Sequence, residues 1–147
     1  MLFRSQGMNY CTFNNNSYPV RYINCDGDIL MASSSINYAS TSGVYVSGNH
    51  NFKARCNSIS GCGVVNPLHA AIYITNGANL IMNSSFSKNH LTSPYVIRLY
   101  NAYFFDIDRG KNYLYPSQSG NYHHINGTVS KYISPPTISS NSANNYF

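Results

Sequence analysis

Four short runs share one pattern and nearly one spacing. They read Val20-Arg-Tyr-Ile-Asn24, Val44-Tyr-Val-Ser-Gly48, Ile72-Tyr-Ile-Thr-Asn76 and Ile97-Arg-Leu-Tyr-Asn101, with starts 24, 28 and 25 residues apart. Each alternates apolar and polar positions, the period of a half-buried strand. Each ends on Asn or Gly, the residues that most readily take the left-handed backbone of a turn. A second set of apolar anchors follows about eight residues after each start, at Ile29, Phe52, Leu80 and Phe105. A third set, Phe13, Ile36, Ile59 and Phe86, lies in Asn/Ser-rich text such as Ser34-Ser-Ile36-Asn and Ser84-Ser-Phe86-Ser. Three short strands in about 25 residues is the arithmetic of one turn of a β-solenoid, whose core exists only when several turns stack.

Composition agrees with that reading and removes several others. The 147 residues are enough for one domain. Asn and Ser are each 21, Tyr is 14, Glu is absent and only 9% of residues are charged. Long solvated helices, coiled coils and charged disordered tails all draw on a different residue set. No apolar run approaches the ~20 residues that span a bilayer, so no membrane insertion is expected. Residues 1–10 lack the apolar stretch of a secretory leader. The net charge of +5 reflects only four Asp rather than clustered bases. Scattered Lys and Arg do not suit nucleic acid, whereas an anionic glycan is compatible with the charge. Cys11, Cys25, Cys56 and Cys62 show no zinc spacing and read as small buried hydrophobes. No cofactor motif occurs: no phosphate-binding glycine loop and no Gly-x-Ser-x-Gly.

The predicted architecture is therefore all-β, a parallel β-helix of about four coils over residues 1–109 with a capping or assembly segment over 110–147. Stacking predicts three files. The inward files are Val20/Val44/Ile72/Ile97 and Tyr22/Val46/Ile74/Leu99, and the turn file is Asn24/Gly48/Asn76/Asn101. Residues 61–69 and 88–94 read as loops inserted between strands, and in solenoids such loops often carry function.

Outward positions hold the candidate chemistry. One file reads Arg21, Tyr45, Tyr73, Arg98, and four rungs at ~4.8 Å span ~14 Å, a few sugar units. Tyr offers an apolar face with a polar tip and Arg a planar fork for hydroxyls or carboxylates, so this file is a candidate glycan strip. The plainer reading is that Tyr is a good strand residue and Arg a common surface one. Asp106 and Asp108 flank Ile107 on one strand face, ~6.5–7 Å apart by strand rise. That separation is nearer to inverting than to retaining glycoside hydrolysis, which makes the two Asp candidate catalytic acid and base. A strand-end acidic pair answered by Arg109 is the plainer alternative. Lys53 and Arg55 face outward two coils earlier and are further candidates for substrate contact.

The strand files, the Asn at strand ends and the Asn-Ser-Ile third strands, over residues 9–108, resemble the right-handed parallel β-helix, or pectate-lyase-like, superfamily. The stretch Tyr95-Val-Ile-Arg-Leu-Tyr-Asn-Ala-Tyr-Phe-Phe-Asp looks most like phage tailspike text. The resemblance implies recognition of bacterial surface polysaccharide, with or without depolymerase activity, a homotrimer, and a place on a phage tail or outside the cell. A glycoside hydrolase or lyase in its own right, and a structural fibre or adhesin segment, are the alternatives. A lyase would want a basic proton acceptor beside a uronic acid, often with calcium, and this chain has few acids for a metal.

Overall fold

The computed structural model describes residues 6–25, 27–63, 69–83, 85–102, 104–107, 111–116, 124–126, 131–132, 139–141 and 144–146. Among them every regular element of any length is a strand. The first coil holds β1 (Gln6–Asn9), β2 (Thr12–Asn14) and β3 (Val20–Ile23). The second holds β4 (Ile29–Ala32), β5 (Ser35–Asn37) and β6 (Val44–Ser47), and the third β7 (Asn51–Arg55), β8 (Ser58–Ser60) and β9 (Ile72–Thr75). The fourth holds β10 (Asn79–Met82), β11 (His90–Ser93) and β12 (Ile97–Tyr100). Then come β13 (Phe104–Ile107), β14 (Tyr113–Pro116), β15 (His124–Asn126), β16 (Lys131–Tyr132), β17 (Ser139–Asn141) and β18 (Asn144–Tyr146).

Every third strand belongs to the same sheet. The first sheet runs β1-β4-β7-β10-β13-β16, the second β2-β5-β8-β11-β14, and the third β3-β6-β9-β12-β15. All of these pairs are parallel, so the chain is a β-solenoid of about four turns. Parallel pairing does not stop at Arg109, because β14 pairs with β11 and β15 with β12. Only then does the pattern change, with β18 lying antiparallel between β15 and β17.

The registers place like on like. Val20 faces Val44, Val44 faces Ile72 and Ile72 faces Ile97, and the file Tyr22/Val46/Ile74/Leu99 follows beside it. Ile29, Phe52, Leu80 and Phe105 align in the first sheet. The second sheet corrects one expectation. Its file is Phe13/Ile36/Ile59/Leu91, continued by Leu114, and Phe86 is not a rung. Seven residues (83–89) separate β10 from β11, where two (56–57) separate β7 from β8. The insertion thus precedes the second strand of the coil, and the stretch 88–94 contains β11 itself. Phe86 sits inside that insertion, half-buried, 5.5 Å beneath the Lys53 ammonium. Ile29, Ile36, Phe52, Ile59, Ile72, Ile74, Leu80, Leu91 and Ile97 are fully buried, each stabilising the fold by ~1.5–3 kcal/mol relative to exposure.

Corners are made by single residues in the left-handed region. Asn24, Asn76 and Asn101 turn the chain after the third strand with φ between 47° and 54°, and Gly48 does so at 110°. Tyr10, Ser33, Cys56 and Lys88 do the same after the first strand, and Asn15, Tyr38 and Gly61 after the second. Corner amides also pair between coils, as in Asn24 N–H to Ser47 O (3.0 Å), Ser33 N–H to Arg55 O (3.0 Å) and Tyr38 N–H to Ser60 O (2.9 Å).

Candidate functional site

The outward file of the third sheet is assembled as the repeat predicts. Arg21 pairs in register with Tyr45, Tyr45 with Tyr73 and Tyr73 with Arg98. Strand alternation turns these four side chains away from the core while Val44, Val46, Ile72 and Ile74 fill it. The side chains touch along the file. The Arg21 guanidinium lies 4.9 Å from the Tyr45 ring centre and that of Arg98 4.8 Å from the Tyr73 ring centre. Tyr45 and Tyr73 meet edge to face at 5.3 Å and 89°. The Tyr18 ring centre also lies 5.3 Å from the Arg21 guanidinium. Aromatic–cation contacts of this kind are worth ~0.5–1 kcal/mol at exposed sites and more when desolvated. The file is therefore stiffened by its own members.

A shallow groove of about 80 Å³ opens over it, lined by Tyr18, Arg21, Thr41, Ser42, Tyr45, His69 and Tyr73. Four of these, Tyr18, Thr41, Ser42 and His69, lie outside the alternating strands that the sequence pattern singles out. Their signal is the repeat offset. Tyr18, Ser42 and Ala70 each precede a third strand by two residues, and the chain is already laddered there. Gly43 N–H donates to Ala70 O (3.2 Å) and Val44 N–H to Ala71 O (2.9 Å). Ala70 N–H donates to Ser42 Oγ (3.2 Å), Ser42 Oγ lies 3.4 Å from His69 Nδ1, and Thr41 Oγ donates to Ser17 O. Gly43 is required at this approach, because a Cβ there would lie 2.7 Å from Ile59 Cγ2 and 2.9 Å from Ala71 O.

Electrostatics set the protonation of the groove. Burial, with the Arg98 charge second, holds the His69 imidazole below its ordinary 6.5, so it is neutral at pH 7. Burial pushes the Tyr73 phenol above 10.0, against the opposing pull of Arg98. Tyr73 thus keeps its hydroxyl proton. The groove presents aromatic faces, hydroxyls, a neutral imidazole and guanidinium donors, and among the described residues no carboxylate lines it. Its volume is far below the ~300–1,000 Å³ of cavities that enclose small molecules. Its open form suits an extended ligand lying across the coils.

The other candidate residues stand on the first sheet, away from this file. Lys53 is ion-paired with Asp28, whose carboxylate also accepts from Asn51 Nδ2 (2.7 Å). The Lys53 and Asn51 hydrogen bonds hold the Asp28 carboxyl below its ordinary 3.8. Arg55 is exposed at the end of β7. Asp106 shares a file with Ile81 and Lys53 and accepts from Asn83 Nδ2 (2.7 Å). Asp108, its expected partner in acid–base work, lies outside the described residues, as does Arg109. The four cysteines are free, but only Cys62 is the buried hydrophobe expected of all four, since Cys11 and Cys25 are half-buried and Cys56 is exposed at a corner; burial raises the Cys62 thiol above 9.0.

Comparison with known proteins adds no relative: no family model, no curated protein and no solved structure matches this chain.

Proposed function

We propose that this chain is a β-solenoid polysaccharide-recognition module of the kind found in phage tailspikes. It would grip a surface glycan along the wall formed by Arg21, Tyr45, Tyr73 and Arg98. One observation carries the reading: four outward side chains from four successive coils stack into a single aromatic–guanidinium file beside a shallow groove. Sugar rings present apolar C–H faces that settle on Tyr and hydroxyls that pair with Arg, Ser and Tyr donors. The file lies along the stacking axis, so its repeat of ~4.8 Å per coil supports contact with a polymer in preference to a single sugar. A trimeric assembly, on a phage tail or otherwise outside the cell, belongs to the same proposal. A solution mass near that of one 16.4 kDa chain would count against the trimer.

The test is binding of a panel of bacterial capsule and O-antigen polysaccharides to the whole chain and to Tyr45→Ala and Tyr73→Ala. Each substitution should weaken the bound polymer at least tenfold, which is ~1.4 kcal/mol. Unchanged affinity in both variants would remove the file from recognition. Binding with no shortening of the polymer would leave the module a recogniser without catalysis.

A further inference from the structure

A second cleft opens on another face, at the entry to β11 and β14. It has a volume of about 350 Å³ and is lined by Lys88, Asn89, His90, Lys111, Asn112 and Tyr113. The groove over the wall holds about 80 Å³, whereas this cleft falls within the ~300–1,000 Å³ of small-molecule sites.

The repeat builds it from two successive coils. His90 pairs in register with Tyr113, and their rings meet edge to face at 4.4 Å and 71°. One residue earlier on each coil, Asn89 and Asn112 form a buried floor. Asn89 Nδ2 donates to Asn112 Oδ1 (2.8 Å) and Asn112 Nδ2 to Met82 O (2.7 Å). One residue earlier again stand Lys88 and Lys111, where Lys88 N–H donates to Lys111 O (2.8 Å). The two lysines thus sit one coil apart, ~4.8 Å at the backbone. Lys88, His90, Lys111 and Tyr113 are all exposed, so an open rim stands on a fixed floor.

The earlier rungs of this corner, Tyr10, Ser33 and Cys56, carry no cation, so positive charge is concentrated at Lys88 and Lys111. Among the described residues no carboxylate lines the cleft and neither lysine is ion-paired. Asp28 is bound to Lys53, and Asp106 accepts from Asn83. Two ammonium groups one coil apart repel each other, and an anion placed between them turns that repulsion into attraction.

We propose that this cleft binds a phosphate dianion, either free or as the monoester of a small organic molecule. A monoanion would answer one ammonium and leave the other. A phosphate monoester carries about −1.5 to −2 charges at pH 7 and three strong acceptor oxygens. Each ammonium brings three donors on a flexible stem and acts as a point charge, so the two can converge on one tetrahedral group. His90 adds a ring N–H, and the exposed Tyr113 ring offers an apolar face to the organic part of an ester. The site is separate from the wall on the third sheet and does not rest on the polysaccharide reading.

The test is titration of the whole chain at low salt with inorganic phosphate, a hexose 6-phosphate, the free hexose and acetate, followed by calorimetry and amide chemical shifts. Both phosphates should bind saturably and move the signals of Lys88, His90, Lys111 and Tyr113. Tighter binding of the hexose phosphate would identify an ester as the ligand, and equal binding would identify free phosphate. Lys88→Gln and Lys111→Gln should each weaken phosphate about fivefold or more, and Lys88→Arg should retain it. Both side chains are exposed, so thermal unfolding of these variants should match the wild type. Tyr45→Ala and Tyr73→Ala should leave phosphate binding unchanged. The proposal is overturned if neither phosphate binds saturably, or if acetate or the free hexose binds as tightly. Unchanged binding in both glutamine variants, or shifts confined to residues outside the cleft, would overturn it equally.

Discussion

Asn57, Asn89 and Asn112 form a file of buried amides that the strand pattern does not reveal. Asn57 Nδ2 donates to Asn89 Oδ1 (3.0 Å) and to Met31 O (2.9 Å), and Asn89 Nδ2 donates to Asn112 Oδ1 (2.8 Å) and to Ala54 O (2.8 Å). The backbone amides join in, with Ser34 N–H donating to Asn57 Oδ1 (3.1 Å) and Asn57 N–H to Asn89 Oδ1 (3.2 Å). Ser34 continues the file one coil earlier, where its hydroxyl accepts from Cys11 N–H (3.2 Å). An amide suits this place because each coil leaves a donor and an acceptor that water cannot reach, and one Asn satisfies both. Asn89→Ala strips partners from Asn57, Asn112 and Ala54 at once. At ~1–3 kcal/mol for each buried group left unsatisfied, it should destabilise the fold by about 3 kcal/mol or more in urea unfolding. A loss below about 1 kcal/mol would mean that the amides are not stacked as described. Single-residue reading missed this file for a physical reason. Asn is common throughout the chain, and only the register tells a buried rung from a surface turn.

At the scale of the element, each strand is only two to five residues long, and the corners define the coil as much as the strands do. The corner after the third strand is legible because Asn and Gly occupy it, and their tolerance of positive φ is a sequence-level signal. Apart from Asn15 and Gly61, the corners after the first and second strands are not, because Tyr10, Tyr38, Cys56 and Lys88 have no such preference, yet they take φ values of 54° to 61°. Stacking overrides local preference there, since each corner amide gains a partner on the next coil. The same override hid the fourth rung of the second sheet. Phe86 matches the local text, but the insertion in front of β11 gives the core position to Leu91. A contrast at Cys56, where φ is 56°, tests this view. Cys56→Gly should change stability by less than about 0.5 kcal/mol, because eased strain offsets lost chain stiffness. Cys56→Val should cost about 1–2 kcal/mol, because a β-branched residue resists this backbone. Equal thermal stability of the two variants would contradict the corner assignment.

For the whole molecule, the repeat arithmetic carries both the fold and the wall. Period-2 alternation assigns Val44, Ile72 and Ile97 to the interior, and the spacing of about 25 residues lines up Tyr45, Tyr73 and Arg98 outside it. The groove beside the wall was half legible. Its strand residues follow from alternation, while Tyr18, Ser42 and His69 emerge only when the segment before each third strand is itself seen to ladder. The burial of Arg98 was not legible, because alternation places it outside and nothing in a strand pattern says what covers an outward residue. These features depend on one alignment of coils, and a slip of one residue would turn every tyrosine of the wall into the core. The most direct test is a nuclear Overhauser spectrum of the whole chain. Backbone contacts in the parallel pattern should join Tyr45 to Tyr73 and Tyr73 to Arg98, with Val46 to Ile74 and Ile74 to Leu99 beside them. Contacts joining Tyr73 to a sequence-adjacent antiparallel strand, or to Val44 or Val46 in place of Tyr45, would contradict the stacked coils and remove the wall built on them.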